Sequence, residues 1–522
     1  MKARSKRLVG VVAVTVLLAA ATNRSMPGAS AETCSLELKR LESASQGRSL
    51  SPLETYVLRF TSSQSFFFQI GVPGAVRSAT EPAADFSKVI QKEPAKYNSQ
   101  QPFRGVAKLG TQQFGFVLDA APRPAAPDDA KDQPQKDQAE GAPEAKVKQP
   151  PAAPDLEGYS RLYFDLNHNG DLTDDKVIEA EQSPRMIRFS VGYAQYSFPR
   201  VDVSVEADGA KMDYAFFFRV YSQRSDKLQY AVASLSAAAY RDGEITLDGK
   251  KRRVVLVDFN SNGRFDDRME VDKDISLTEG QVYPRQGDML YVDLDPNRPS
   301  YSYYYDTTRN DEQYPLSKLI NLDGRFYDLE ISVTGEKLTL TPSSVPVGSV
   351  TNPNDGYRAL VYSDLGFLKI SGGKSKPALL PEGEWKLLSY TIDRTGLPAD
   401  ATEPAKKEFS LLQSLAEAMA GAAGPSGPRV TLVSARATAD FPAVKVREGQ
   451  TVALPFGPPY KPTVNVAYRS GAEEFSLGMS LVGSAGEICS DLMVDGGRPK
   501  APEFTISTTD GKEVQRGNFG YG

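Results

Sequence analysis

The chain has 522 residues, of which 40% are hydrophobic and 24% are charged, and its formal net charge is −5. That length and apolar content allow about two to four domains with hydrophobic cores of their own. The acidic balance excludes a general electrostatic attraction to nucleic acid or to anionic lipid, whereas it suits the binding of cations.

Residues 1–31 have the pattern of a secretory signal peptide. Four basic residues within positions 2–7 precede a mostly apolar segment from Leu8 to Ala21, and Ala29–Ser30–Ala31 suits cleavage before Glu32. The apolar segment is shorter than the roughly 20 residues that a membrane-spanning helix needs. Cleavage removes five basic residues and no acid, so the formal charge moves from −5 to −10. We therefore predict an exported protein (extracellular, periplasmic or on the cell surface) without a transmembrane helix in its mature chain.

The chain has two cysteines, Cys34 and Cys489. In an oxidising compartment, a disulfide between them would tie the start of the mature chain to its C-terminal region. The alternative is two separate thiols, because a sequence does not show whether two cysteines meet in space. We expect the disulfide.

Most of the mature chain consists of short runs rich in Val, Ile, Phe, Tyr and Thr, such as "DYAFFFRVYS" and "KRRVVLVD", separated by turn sequences. This pattern predicts a mainly β, multidomain chain of antiparallel sandwich-like or barrel-like sheets with few helices. The predicted domains are residues 32–330, which include both loops described below, and a sandwich-like region at 331–522. The second region is predicted either as one unit or as two subdomains that meet near residues 405–421.

Two segments interrupt the strand pattern. Residues 120–154 are rich in Pro, Ala, Gln and charge, and we predict a disordered insertion there, between two strands of one domain. Residues 405–421 have helical periodicity, with Phe409, Leu412 and Met419 on one face, and "GPSGP" follows as a stop signal. We predict a helical insertion at this position.

One unusual phrase occurs twice, each time directly after a strand-like run. It reads "DLNHNGDLTDD" at 165–175 and "DFNSNGRFDD" at 258–267. Both copies have Asp, Asn, Asn and Gly at positions 1, 3, 5 and 6, an apolar residue at position 8 and Asp at position 10. Alternate residues of a tightly curved loop direct their oxygens at one centre, and the glycine allows the sharp turn. Oxygen ligands in this pattern are those that Ca²⁺ prefers.

The two phrases resemble the calcium loops of the EF-hand and dockerin-type families, which share the pattern D-x-[DN]-x-[DN]-G. The resemblance implies two calcium sites, with ligands from side chains, from the position-7 carbonyl and from a closing acid. The implied first-loop residues are Asp165, Asn167, Asn169, Asp171 (carbonyl), and Asp174 or Asp175. The implied second-loop residues are Asp258, Asn260, Asn262, Arg264 (carbonyl), and Asp266 or Asp267.

The loops depart from a regular EF-hand in three ways. Position 12, normally a bidentate Glu, holds Lys176 and Met269. The entering segments read as strands, so we do not predict a helix-loop-helix pair. Two neutral Asn ligands per loop predict weak sites, with dissociation constants of about 10⁻⁴–10⁻³ M. The alternative is a metal-free turn, because Asn, Gly and Asp favour turns by themselves; the second copy favours the metal site.

Other candidate sites are less specific. His168 is the only histidine, which excludes a multi-histidine zinc site, and we interpret it as an exposed loop residue. A pair of acids would suffice for glycoside hydrolysis, but no local pattern selects a pair. We interpret Asp288, Asp293 and Asp295 as turn and surface acids, with a remote ligand as the alternative. The tyrosines at 301–305 are either a recognition surface or an edge strand.

The C-terminal part resembles the Ig-like or carboxypeptidase-regulatory-like β domains of secreted bacterial proteins, through its turn and strand "GKEVQRGNF". Such a fold does not specify a function. Taken together, the sequence predicts an exported, non-catalytic calcium-binding protein with a structural or adhesive role at the cell envelope or surface. Its expected cofactor is Ca²⁺ at two sites, and its expected partner is a surface protein or a glycan. The alternatives are a secreted carboxylate-dependent hydrolase and a glycan-binding protein.

Overall fold

The structure of the protein is a computed structural model. It describes residues 30–42, 54, 57, 61–69, 76–78, 85–122, 158–181, 192–224, 229–271, 280–294, 311–395, 430–468 and 475–521. Five sequence predictions lie outside these residues: the signal peptide up to residue 29, the insertion from residue 123 onward, the helix at 405–421, the tyrosines at 301–305 and the surface acid Asp295.

The predicted mainly β fold is confirmed, since strands account for 58% and helix for 2% of the described residues. A one-turn helix, α1, spans Phe86–Val89, and the side chain of Asp85 caps it by accepting from the N–H of Ser87. Within the described ranges, we found no helix with the length and apolar character needed to cross a membrane.

Nineteen strands lie in the N-terminal part of the described chain, where most connections are short turns. They are β1 (Glu32–Ser35), β2 (Glu37–Arg40), β3 (Gln64–Gln69), β4 (Val76–Ser78), β5 (Phe103–Leu109), β6 (Gln112–Ala120), β7 (Tyr159–Phe164), β8 (Ile178–Glu179), β9 (Gly192–Ser197), β10 (Val201–Ala207), β11 (Ala210–Arg224), β12 (Gln229–Ala237), β13 (Ala239–Leu247), β14 (Lys250–Val257), β15 (Met289–Val292), β16 (Gln313–Pro315), β17 (Leu319–Leu322), β18 (Arg325–Ile331) and β19 (Lys337–Pro342).

The remaining described strands form the C-terminal part. They are β20 (Val347–Thr351), β21 (Tyr357–Ser363), β22 (Gly366–Gly372), β23 (Ala378–Pro381), β24 (Gly383–Asp393), β25 (Leu432–Arg436), β26 (Val444–Val446), β27 (Thr451–Ala453), β28 (Lys461–Tyr468), β29 (Phe475–Val482), β30 (Ile488–Met493), β31 (Glu503–Ser507) and β32 (Glu513–Asn518).

Four antiparallel sheets share the N-terminal core. Their strand orders are β1-β19-β18-β17, β10-β11-β12-β3-β4 with β9 on β11, β16-β15-β14-β13-β2, and β5-β6-β7-β8. One hydrophobic cluster draws side chains from all four sheets, for example Leu338, Phe216, Leu256 and Phe116. The period-two alternation of these strands places their apolar residues on the inner faces, where the sheets pack against each other.

The sheet that contains β1 extends across the predicted boundary at 330/331. Residue 331 is the last residue of β18, and the next strand, β19, pairs with β1 so that Cys34 lies opposite Leu338. Strand β1 is therefore held by Lys337–Leu340 of β19, which lie about 300 residues further along the chain.

A second core lies between the C-terminal sheets. Their orders are β23-β20-β27, in which β20 and β27 are parallel, and β22-β21-β24-β25-β30-β29-β28 with β26 on β24. Trp385 is fully buried in this core, and its Nε1–H donates to the Pro381 carbonyl at 2.8 Å. Leu319 and Phe326, from β17 and β18, also belong to this core. The two cores are thus joined through the last sheet of the N-terminal part.

The expected disulfide is wrong, because Cys34 and Cys489 are free thiols. Cys34 is buried in the N-terminal core, whereas Cys489 packs against the C-terminal core with its Sγ 3.4 Å from the Asp491 carbonyl oxygen. Burial raises the pKa of Cys34 to about 11 and that of Cys489 to about 12. Each cysteine therefore behaves as a small apolar residue of a different core.

Truncating an aromatic residue at the centre of the N-terminal core should destabilise the protein. Phe116 is fully buried, and its ring centre lies 4.9 Å from that of Phe66 and 5.0 Å from that of Phe218. We expect Phe116→Ala to lower the free energy of unfolding by about 3–5 kcal/mol, because it leaves a cavity. Urea denaturation measures this, with the exposed Val514→Ala as the control; equal effects of the two substitutions would contradict the assigned core.

Candidate metal centre

Each repeated phrase forms a loop at the end of a strand. The first loop, residues 165–175, follows β7, and the second loop, residues 258–267, follows β14. The structure therefore places strands ahead of both loops, as the sequence predicts. The apolar position-8 residues, Leu172 and Phe265, are buried beneath their loops and anchor them to the protein.

In the first loop, side-chain oxygens at positions 1, 3 and 5 turn inward and accept from the loop's own backbone. The two carboxylate oxygens of Asp165 accept from the N–H groups of Asn169 and Gly170, both at 3.0 Å. Asn167 Oδ1 accepts from the N–H of Asn169 at 3.0 Å, and Asn169 Oδ1 accepts from that of Asp171 at 2.7 Å. Gly170 has φ of +78°, a conformation that favours glycine.

The second loop repeats this network at the same positions. The carboxylate of Asp258 accepts from the N–H of Asn262 at 3.2 Å and from that of Gly263 at 2.8 Å. Asn260 Oδ1 accepts from the N–H of Asn262 at 3.2 Å, and Asn262 Oδ1 accepts from that of Arg264 at 2.9 Å. The two loops therefore have the same residues at positions 1, 3, 5 and 6 and the same backbone hydrogen bonds.

The position-10 acid closes each loop from the opposite side. In the first loop, Asp174 accepts from the side-chain amide of Asn169 at 2.8 Å and from that of Asn167 at 3.5 Å. In the second loop, Asp267 Oδ2 accepts from both Asn amides, at 2.6 and 3.0 Å. Positions 1, 3, 5 and 10 of each loop are thus brought together into a ring of oxygen-bearing side chains.

A further acid holds the position-2 backbone of each loop, but it comes from different parts of the sequence. In the first loop, Asp175 Oδ2 accepts from the N–H of Leu166 at 3.2 Å. In the second loop, Asp288 Oδ1 accepts from the equivalent N–H, that of Phe259, at 3.0 Å. The other oxygen of Asp288 accepts from the N–H of Asp267 at 2.9 Å, so this one carboxylate joins both ends of the second loop.

The interpretation of Asp288 as a turn or surface acid is therefore wrong. Asp288 is fully buried, because β15 pairs with β14 in a register that sets Met289 opposite Val257. The same register brings Asp288 beside Asp258. The local sequence does not indicate that Asp288 lies beside Asp258, because this contact depends on how β14 and β15 pair.

Three of the predicted residues turn their side chains away from the rings. Asp171 pairs with Lys92 at 2.7 Å, and this ion pair together with Thr173 lowers the pKa of Asp171 to about 2. Asp266 pairs with the guanidinium of Arg264, which also reaches Asp208 at 2.9 Å. Asp171 and Arg264 are thus left with only their carbonyl oxygens to offer, and Asp267 rather than Asp266 contacts the Asn amides of the second loop.

The two loops differ in their exposure to solvent. Asn167, Asn169 and Asp174 of the first loop are exposed, whereas Asn260, Asn262 and Asp267 of the second are half-buried. The structure also buries the position-1 acid of each loop, and in the second loop it buries the added Asp288 as well. The second loop therefore concentrates more negative charge away from water.

Burial has a strong effect on the protonation of these acids. It raises the pKa of Asp258 to about 7, even though the Tyr214 hydroxyl donates to this carboxylate at 2.6 Å. Burial, together with the charges of Asp258 and Asp267, raises the pKa of Asp288 well above its ordinary value. In the first loop, burial and the neighbouring acids raise the pKa of Asp175 to about 6. A buried acid of this kind is stable either when it is protonated or when a cation lies beside its carboxylate.

Both loops are supported by the turn between β5 and β6. The N–H of Gly110 donates to the Asn262 carbonyl at 2.6 Å. Two residues later, the Gln112 amide lies 3.4 Å from Nδ1 of His168 in the first loop. The ring of His168 also packs on Phe114, with 4.9 Å between the ring centres. This contact gives the only histidine a packing role.

The donor chemistry fits a hard cation. Among the described residues, no group of three or more His, Cys, Asp or Glu side chains converges as a metal site would. Each ring instead combines carboxylates with two Asn amides, whose oxygens keep a second lone pair beyond the one that accepts from the backbone. An all-oxygen set without thiolate or imidazole suits Ca²⁺ rather than zinc.

Comparison of the chain with protein-family models, with curated proteins and with solved structures found no match. The observation that carries the argument is internal to the chain: two loops 93 residues apart in sequence fold to the same hydrogen-bond network.

The raised pKa of Asp258 predicts a pH dependence of stability in the presence of a chelator. The folded state holds this proton more tightly than the unfolded state does, so the stabilisation is complete below the ordinary pKa near 3.8 and is lost as pH rises through about 7. We expect Asp258→Asn to reduce the loss of unfolding free energy between pH 5 and pH 8 by on the order of 1–3 kcal/mol.

Urea denaturation at the two pH values measures this difference. Asp328→Asn is the matched control, because the Asp328 side chain is exposed on β18, far along the chain from both loops. Parallel pH profiles for the wild type and Asp258→Asn would contradict the assigned protonation.

Proposed function

We propose that this is an exported, non-catalytic structural or adhesive protein of the cell envelope or surface, whose N-terminal β region is braced by Ca²⁺ at the two loops. The observation that carries the proposal is the repeated ring of oxygens at positions 1, 3, 5 and 10. The signal-peptide pattern at residues 1–31 supports export. Because the two Asn ligands of each loop are neutral, few negative charges face the cation, which supports weak sites typical of extracellular calcium modules.

The proposed ligands divide into side chains and carbonyls. In the first loop they are Asp165, Asn167, Asn169, Asp174 and the carbonyl of Asp171, and in the second loop they are Asp258, Asn260, Asn262, Asp267 and the carbonyl of Arg264. Asp175 and Asp288 hold the backbone at position 2 of their loops and add negative charge behind the ligands. Bound Ca²⁺ would supply the positive charge that offsets these acids.

The contacts of the second loop support a bracing role. The Ser261 hydroxyl accepts from the N–H of Ala237 at 2.9 Å, and the Ser261 carbonyl accepts from the amide of Gln64 at 2.6 Å, which ties the loop to β12 and β3. The N–H of Phe265 donates to the Val333 carbonyl at 3.1 Å, beyond the end of β18. This loop therefore contacts elements of several sheets, so its rigidity limits their relative movement.

The first loop is attached to fewer elements. The carbonyl of Gly170 accepts from the N–H groups of Gln91 and Lys92, at 2.9 and 3.1 Å, directly after α1. The N–H of Leu172 in turn donates to the Lys92 carbonyl at 3.0 Å. A cation in this loop would stabilise the segment that follows α1, and the exposure of the loop gives the cation a direct path from solvent.

The hydrolase and glycan-binding alternatives have less support. The most strongly perturbed acids, Asp258 and Asp288, are fully buried and do not face a cleft. The tyrosines at 301–305, the basis of the glycan alternative, lie outside the described residues.

Calcium-dependent thermal stability of the mature chain, residues 32–522, tests the proposal. Calcium at 100 times the dissociation constant should add about 2.7 kcal/mol per site to the free energy of unfolding. We expect Asp165→Asn and Asp258→Asn each to remove the part of this increment that belongs to its own loop. The increment between calcium and chelator is the measured quantity, because either substitution also weakens backbone hydrogen bonds.

Two matched controls remove an acid from the same loops without touching the rings. Asp171→Asn alters a side chain that faces Lys92, and Asp266→Asn alters one that faces Arg264. Both variants should keep the full calcium increment. A wild-type protein whose melting temperature is the same in millimolar calcium and in chelator would overturn the proposal and leave two metal-free turns.

A further inference from the structure

A hairpin at the edge of the large C-terminal sheet projects from the body of the protein. Strand β28 is the last strand of that sheet, and it pairs along its full length with β29. By contrast, β29 pairs with β30 only where Val482 lies opposite Ile488. Every residue of β28 is exposed, so both faces of the strand meet solvent. An isolated two-stranded hairpin is marginally stable in water and needs a third strand or a packed face.

The two faces of this hairpin differ sharply in chemistry. The register sets Val464 opposite Met479, Val466 opposite Leu477 and Tyr468 opposite Phe475, and these six residues form what we call the hairpin face. The opposite side carries small and polar residues such as Thr463, Asn465, Ser476 and Ser480. Strands with this alternation normally bury the apolar side and leave the polar side in water.

The hairpin face is nevertheless open to solvent along β28 and at Phe475, while Leu477 and Met479 are half-buried. The exposed fractions are 62% for Val466, 73% for Tyr468 and 51% for Phe475. Since a buried aromatic side chain removes about 150–250 Å² from water, we estimate an apolar patch of roughly 500 Å². Monomeric proteins rarely expose larger contiguous patches, and those of this size are often interaction sites.

We infer that the hairpin face binds the hairpin face of a second copy of this chain. The six side chains carry no charge, so two copies can stack face to face about a two-fold axis without burying an ion. The polar sides of both hairpins then remain in water. Each hairpin face gains an apolar layer packed against it, which the described part of a single chain does not provide. The patch with its polar rim approaches, without reaching, the roughly 800 Å² per partner of a stable complex. The inferred dimer is therefore weak.

Sedimentation equilibrium of the mature chain from about 1 to 200 µM tests this inference, because the range covers the micromolar dissociation constants of weak complexes. We expect mostly monomer at the lowest concentration and mostly dimer at the highest. Val466→Lys places a charge in the centre of the hairpin face and should weaken dimerisation at least 10-fold. Asn465→Lys is the matched control, because it adds the same charge to the same strand on the opposite side and should leave the dimer unchanged.

Three outcomes would overturn the inference. A monomer at every concentration excludes the second copy, and a dimer that Val466→Lys does not weaken places the contact elsewhere on the protein. A monomer that becomes dimeric only when residues 400–428 are replaced by a Gly-Ser linker would show that the chain's own segment is the occupant. Circular dichroism of each variant separates a lost contact from a lost fold. None of these results depends on calcium binding.

Discussion

The second loop depends on one buried carboxylate, that of Asp288. Its two oxygens accept from the backbone N–H groups of Phe259 and Asp267, so this one side chain joins both ends of the loop. Asp258 lies next to it and is equally buried, and its partners are the Tyr214 hydroxyl and backbone N–H groups. Buried acids with neutral partners are costly when ionised. The same constraint that shapes the loop thus favours a proton or a cation beside it.

The comparison between the loops shows how tertiary environment modifies a shared local design. Both loops form the same turn, because each position-1 acid caps the same backbone groups and each glycine lies at position 6. The first loop closes with its own Asp175 and remains exposed, whereas the second borrows Asp288 from the neighbouring strand and lies among several sheets. Under the proposed calcium binding, the exposed first loop would exchange its cation more readily and the second loop would have the larger effect on stability.

In the N-terminal core, the apolar residues that alternate along each strand are buried by a facing sheet. Near the other end of the chain, one pair of strands has the same alternation but no facing sheet among the described residues. In β10, for example, Val201, Val203 and Val205 alternate with exposed or half-buried residues and are buried by the facing sheets. In β28, Val464 and Val466 alternate in the same way, yet both remain exposed. The alternation is a local property, but the layer that covers it must come from elsewhere. This difference is the physical reason to assign a partner to the hairpin.

Local sequence determined the fold class, the strands that precede both loops, and the ring residues such as Asp165 and Asn262, because alternation and turn chemistry act over a few residues. It did not determine that Asp288 completes the second loop, since this depends on the register of β14 and β15. It also misassigned the cysteines: Cys34 and Cys489 lie in different cores, a separation that follows from the packing of whole sheets. Contacts between residues distant in sequence were decided only by the tertiary structure, because they depend on which strands pair.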